Sequence, residues 1–219
     1  MGTYRDELMG TVATATRKTA RKAKGDGHLR RAEILEAAER IFVAEGYEGA
    51  TIRKIADEVG VSSTALYMHF QDKACILREI VDATLSQLLE RNTEIAARPL
   101  DPVVRTRMML DSYMHWGLEH PNAYQLVYCA PQVTSADEAP GRTSDLSHDC
   151  YEAFAGVVRE VAAAGRLRTG GADSAAQSLW MACHGVVALL IIRPNFDFAD
   201  REELMRITLD GMLHGLVID

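Results

Sequence analysis

The chain has 219 residues, 47% of them apolar, with four cysteines and a net charge of −7. That length buries a core, as one large domain or as a small domain joined to a larger one. The longest apolar stretch, "GVVALLII" at 185–192, is stopped by Arg193 and Pro194, so no membrane span is expected. The polar, charged start "MGTYRDELMG" also lacks a signal peptide's apolar run and a myristoylation motif.

Cys75, Cys129, Cys150 and Cys183 are widely spaced and form no CxxC pair. That is the pattern of reduced, mostly buried thiols in a cytoplasmic protein. "HDC" at 148–150 is not a ligand spacing, and no metal or cofactor is expected. Charge is distributed unevenly. Residues 1–75 sum to +1 and residues 76–219 to −8, while residues 17–31 hold seven basic side chains and one acid. A local basic footprint is what phosphate binding requires; overall charge is not.

Residues 1–27 show no apolar period and read as a basic arm, either a passive tail or a source of non-specific phosphate contacts. From His28 the pattern turns helical: Ile34, Leu35, Ala38, Ile41 and Phe42 fall on one stripe of a 3.6-residue period. Glu33, Glu36, Glu39 and Arg40 make a solvated face beside it. Gly46 and Gly49 close this helix. Thr51 caps a short helix with Ile52, Ile55, Ala56 and Val59 inward, and Arg53, Lys54 and Asp57 outward. Gly60 provides a turn and Ser62 caps a third helix. A fourth starts near Asp72 and runs to about Ile95 on Ile76, Ile80, Ala83, Leu85 and Leu88. Five more helices follow. One opens at Asp101-Pro102 and a short one follows Pro121 through Tyr128. After a loop at 130–144 come helices at 146–164, 173–192 and 200–217. No strand-like alternation appears, so the fold class is all-α, with about nine helices.

Two helices joined by a tight turn, "TIRKIADEVGVSSTALYMHF", fit a helix-turn-helix. Ala56 is small where the helices cross, Gly60 frees the turn and Val61 plugs the angle between them. The third helix can then lie in a DNA major groove with its first turn against base edges. On a helical wheel Leu66 and Phe70 face inward, while Ser63, Thr64, Tyr67 and Met68 share the outer face and His69 lies on the flank. Short hydroxyls reach bases or phosphates, and the Thr64 methyl can meet a thymine methyl. Tyr67, His69 and Lys73 suit sugar and phosphate.

The run Thr51…Ile55-Ala56…Gly60-Val61-Ser62…Leu66-Tyr67…His69-Phe70…Lys73…Leu77 resembles the N-terminal domain of the TetR/AcrR family of bacterial transcriptional repressors. The resemblance implies DNA contacts at Thr51 and Arg53, at Ser63, Thr64, Tyr67, Met68 and His69, and at Lys73. Thr64 departs from the Gly or Pro often found there, and Ala65 from the commoner Thr, so the operator sequence does not transfer. Further on, "WMACHG" at 180–185 resembles the Trp…His-Gly signature of one C-terminal subgroup. Together these imply an Ω-like homodimer whose last two helices pack against the partner's pair as a four-helix bundle. The expected organisation is a basic arm at 1–27, a helix-turn-helix DNA-binding domain at 28–75 and an effector-binding and dimerisation domain at 76–219.

The middle helices concentrate aromatic and Met side chains. Met109, Tyr113, Trp116, Tyr124, Tyr128, Trp180 and His184 are the expected lining of a small, mostly apolar or aromatic effector's pocket, beside the alternative of ordinary core packing. No Lys or Arg cluster accompanies them, which disfavours an acyl-CoA, although Arg105 and Arg107 keep one open. Asp111 and His115 are one turn apart, but there is no nucleophile elbow, HExxH or phosphate loop, and no catalytic residue is expected. The expected function is a ligand-responsive repressor that binds a pseudo-palindromic operator as a dimer. A helical ligand-sensing module without sequence-specific DNA binding is the alternative.

Overall fold

The computed structural model describes residues 26–128, 142–168 and 170–218. Most of the basic arm, Cys129 and the first part of the loop expected at 130–144 lie outside the described residues. Nine helices are present among the described residues: α1 (Asp26–Gly49), α2 (Ile52–Glu58), α3 (Ser63–Tyr67), α4 (Lys73–Ala96), α5 (Pro102–Glu119), α6 (Pro121–Tyr128), α7 (Arg142–Ala163), α8 (Ala172–Ile192) and α9 (Arg201–Leu216).

Local chemistry sets most helix starts. The Thr51 hydroxyl accepts from Lys54 N, the Ser62 hydroxyl from Ala65 N, and the Asp72 carboxylate from Cys75 N. Asp101 and Asp200 cap α5 and α9 in the same way, each cap contributing about 1 kcal/mol. Gly46, at φ 73, breaks the end of α1, a conformation that costs a glycine little. Two expectations are corrected. α7 begins at Arg142, so the expected loop ends earlier than its Ser and Thr content suggests. On α4, Ala83 is exposed, while Leu77 and Thr84 are buried between the helices.

Two apolar clusters organise these helices. The first joins Ile34, Phe42, Ile55, Ala56, Leu66 and Phe70 to Ile76, Leu77 and Ile80 of α4, and to Leu126 of α6. It therefore draws on residues beyond the 28–75 span. Full burial of Leu66 alone contributes about 2 kcal/mol. The second lies between the far half of α4 and α5 to α9, around Met109, Met114, Trp116, Tyr124, Phe154, Leu179 and Leu209. α4 thus serves both cores.

By length and composition alone, α8 is long and apolar enough to cross a membrane. The residue reading missed this because Gln177, Ser178 and His184 interrupt the run. Here α8 packs against α5, α7 and α9. Part of its surface and of α9 stays open in the single chain: Met181 is 59% exposed and Ile207 53%, with Leu189 and Ile192 also exposed.

Candidate nucleic-acid interface and effector cavity

α2 and α3 meet through a turn built as the sequence requires. Gly60 adopts φ 68, and Val61 N donates to Ala56 O at 2.9 Å, folding the turn against the buried Ala56. α3 is only five residues long, but Met68 keeps right-handed helical dihedrals, so the helical face extends one residue further. On that face Tyr67 is 56% exposed and Met68 85%, with Thr64 exposed beside them. Ser63 and His69 are half-buried, while Thr51 and Arg53 on α2 are exposed. Arg53 projects, with only a 3.8 Å approach to Asp57 on its own helix.

Two cations near this face are engaged inside the domain. The Lys73 ammonium donates to Tyr47 O at 2.7 Å and Ala50 O at 3.3 Å, and lies 4.1 Å from the Tyr47 ring centroid. It ties α4 to the end of α1 rather than projecting freely. Arg31, counted in the basic footprint, donates from Nη1 to His69 O at 2.8 Å. Its Nε and Nη2 reach both carboxylate oxygens of Glu79, and its guanidinium lies 4.2 Å over the Phe70 ring. With all three guanidinium nitrogens bonded, Arg31 holds the segment leaving α3 against α1 and α4. Glu39 also departs from its expected solvated face. Burial, the largest cause, raises its carboxyl above the usual range, while nearby His120 opposes the rise.

In the second core, helices α4, α5, α6, α7 and α8 enclose a cavity of about 260 Å³. Met109, Tyr113, Tyr128 and Trp180 line it as expected. Trp116 and Tyr124 are instead fully packed core side chains, and His184 stands behind the wall. Other lining residues include Leu88 and Asn92 from α4, and Cys150, Tyr151 and Phe154 from α7. Asn92 Nδ2 donates to Cys150 O at 3.1 Å, fixing one wall, and the Cys150 thiol donates to Leu85 O. Burial pushes that thiol up to about 11, so it is a neutral wall group.

Behind the wall, His184 Nδ1 lies 2.7 Å from the Tyr124 hydroxyl oxygen and 3.0 Å from that of Tyr113. Burial holds the imidazole below its ordinary pKa and the hydroxyls of Tyr113 and Tyr128 above theirs, so all three are neutral near pH 7. Arg105 pairs with both oxygens of Glu160 and donates to the Leu100 and Ala96 carbonyls. Arg107 pairs with Asp210 at 2.6 Å. Neither cation lines the cavity. Among the described residues, no group of three or more His, Cys, Asp or Glu side chains is placed to hold a metal.

Residues 34–80 match the family model described as bacterial regulatory proteins, tetR family. Residues 106–212 match that of the tetracyclin repressor-like C-terminal domain. The chain belongs to the TetR family. Among curated TetR-family relatives, the HTH-type transcriptional repressor KstR2 of Mycobacterium tuberculosis is 30% identical over 107 residues, 49% of this chain and 53% of that one. The matched segment thus spans about half the length of this relative. The solved structure of KstR2, ketosteroid transcriptional regulator of Mycobacterium tuberculosis, superposes with a TM-score of 0.69 at 23% identity, covering 87% of this chain and 96% of that one. FadR from Bacillus subtilis, solved in complex with stearoyl-CoA, gives 0.68 at 18% identity, covering 84% of this chain and 98% of that one. At these identities the structural likeness establishes the shared TetR fold and no more.

Proposed function

We propose that this chain is a cytoplasmic, ligand-responsive transcriptional repressor. It binds a pseudo-palindromic operator as a homodimer and is released by a small, mostly apolar or aromatic effector. The observation that carries the reading is the outer face of α3, where Tyr67 and Met68 stand exposed on a helix otherwise anchored by the buried Leu66 and Phe70. A solvated helix gains nothing from an exposed tyrosine and methionine, whereas a major groove offers partners for both. Thr51, Arg53, Ser63, Thr64, Tyr67, Met68 and His69 are the proposed contacts. Lys73 acts with them chiefly by fixing the start of α4, where backbone N–H groups suit a phosphate.

The exposed apolar residues of α8 and α9 supply the proposed dimer surface. Two-fold symmetry then presents two copies of α3 to two half-sites. The cavity supplies the effector site. With Arg105 and Arg107 both paired, an effector as large and anionic as the stearoyl-CoA bound to FadR is disfavoured. The proposed effector is smaller and less polar.

The test is a gel shift on the DNA upstream of the chain's own gene. The wild-type protein is expected to shift a discrete band, and Arg53→Ala with Tyr67→Ala to abolish it while the dimer persists. Equal retardation of upstream and unrelated DNA would favour the sensing-module reading.

A further inference from the structure

We infer that the cavity takes an uncharged, mostly apolar molecule bearing one carbonyl oxygen, and that the hydroxyl of Tyr151 bonds that oxygen. The inference rests on the effector reading above and narrows it to one ligand chemistry and one anchoring residue.

Tyr151 differs from the other side chains around the cavity. It lines the cavity and is half-buried as a residue, yet its hydroxyl oxygen is fully buried and has no hydrogen-bond partner. Among the described residues it is the one buried side-chain nitrogen or oxygen left without a partner. A phenol deprived of both water and a partner weakens the fold, and native proteins keep few such groups. The neighbouring phenols are already engaged: the Tyr113 hydroxyl oxygen lies 3.0 Å from His184 Nδ1, and that of Tyr124 lies 2.7 Å from it.

The surroundings keep this phenol at the cavity. One residue back along α7, Cys150 is tied to α4 twice: its carbonyl accepts from Asn92 Nδ2 at 3.1 Å, and its thiol donates to Leu85 O at 3.2 Å. The Tyr151 ring itself meets the Trp180 ring of α8, with centroids 6.0 Å apart and planes tilted by 57°. Asn92 and Trp180 both line the same cavity. The backbone carrying Tyr151 is thus fixed against α4, and its ring has a second lining residue as neighbour. The hydroxyl is covered as it stands, so an occupant reaches it by a tilt of the ring against Trp180. The hydrogen bond then formed offsets that movement.

Size, charge and polarity then set the occupant. A cavity of about 150 Å³ holds benzene, so the 260 Å³ present here suits roughly ten heavy atoms. No Asp, Glu, Lys or Arg is among the described lining residues, so an ion placed there would lose its water without gaining a counter-ion. The two arginines on α5 that could have supplied one are committed to Glu160 and Asp210. The aromatic ring draws electron density from a phenol oxygen, which makes the group a better donor than acceptor. A carbonyl accepts that proton and brings none of its own. An alcohol or amine would bring further protons to be placed in an apolar wall.

The experiment is calorimetric titration of the full chain with three bicyclic probes of matched shape: indane, 1-indanone and indane-1-carboxylate. Wild type, Tyr151→Phe and Tyr113→Phe are compared at neutral pH. Tyr151→Phe is expected to weaken 1-indanone about fivefold or more and to leave indane no weaker, the indane value also reporting an intact cavity. Because the hydroxyl bonds nothing among the described residues, Tyr151→Phe is also expected to melt, without ligand, no lower than wild type. A hydroxyl with a merely structural role would lower that melting temperature. Tyr113→Phe removes a hydroxyl already engaged with His184, and is expected to shift indane and 1-indanone by equal factors. The carboxylate is expected to bind wild type about tenfold more weakly than the ketone, or worse. Equal loss of ketone and hydrocarbon in Tyr151→Phe, a lowered melting temperature in that variant, a ketone-selective loss in Tyr113→Phe, a carboxylate as tight as the ketone, or no binding of any probe would each overturn the inference. A chain that binds these probes as expected but shifts no DNA would overturn the repressor reading instead, so the two failures are distinct.

Discussion

Gly117 lies in α5 where α6 and α8 come closest to it. A Cβ placed there would stand 2.6 Å from Val187 Cγ1 and 2.9 Å from Tyr124 Cδ2, closer than packed carbon atoms come. Gly117→Ala must push apart the helix carrying His184 and the ring bonded to it. A loss of about 1–3 kcal/mol in urea unfolding is expected, against a gain of about 0.5–1 kcal/mol for Gly156→Ala, inside α7, where the added carbon meets nothing and only the helix preference changes. Sequence reading gave Gly117 no role, because a mid-helix glycine reads only as a weak helix former until its neighbours are known. Arg31 and Lys73 teach the same lesson with opposite sign. As charges in a list they pointed to phosphate; in place, one is occupied by Glu79 and His69 O, the other by the carbonyls closing α1. A count of basic residues therefore overstates the charge that faces outward.

At the scale of whole helices, α5 and α9 are joined by a titratable contact. His115 Nδ1 donates to Asp111 O at 2.9 Å, one turn back, and Nε2 lies 3.2 Å from Glu202 of α9. The Asp111 carbonyl, followed by the Asp111 and Glu202 carboxylates, raises the imidazole pKa above its ordinary value against partial burial. Because the folded value is the higher one, the stabilisation is fully present below the unfolded value of about 6.5 and is lost as pH rises through the folded value. His115→Gln should thus lower the urea midpoint more at pH 5.5 than at pH 8.5. A gap independent of pH would remove the charge from the contact. The helices themselves were largely legible, because caps at Thr51, Ser62, Asp72 and Asp101 announce their starts and apolar stripes their inner faces. The cavity was half legible. Met109, Tyr113, Tyr128 and Trp180 stood out by type. Asn92, Tyr151 and Phe154 did not, since periodicity shows which way a helix faces but not which distant helix it meets. Trp116 and Tyr124 were drawn into the expected lining by the same aromatic character that suits them to the core.

For the molecule as a whole, the exposed apolar faces of α8 and α9 are the proposed dimer surface. Ile207 is an exposed β-branched side chain on α9, and Leu189 and Ile192 extend the apolar surface along α8. A charge at Ile207 leaves the single chain's own core untouched but cannot be covered by a second copy. Ile207→Asp is expected to sediment as a monomer with unchanged helical content, and to lose at least tenfold in operator affinity because one half-site no longer supports the other. An unaltered dimer would move the interface elsewhere.

Leu126 belongs by sequence to the proposed sensing half, yet its side chain is seated in the apolar cluster of the helix-turn-helix half, with Ile80 and Phe42. The two halves are therefore not interchangeable parts. A hybrid regulator spliced at residue 75 or 76 would arrive with a hole under α1 where Leu126 sat, and without the Ile76, Leu77 and Ile80 wall. Transplanting this head onto a foreign sensor requires carrying the first two turns of α4 along and matching a large aliphatic residue on the sensor's own α6.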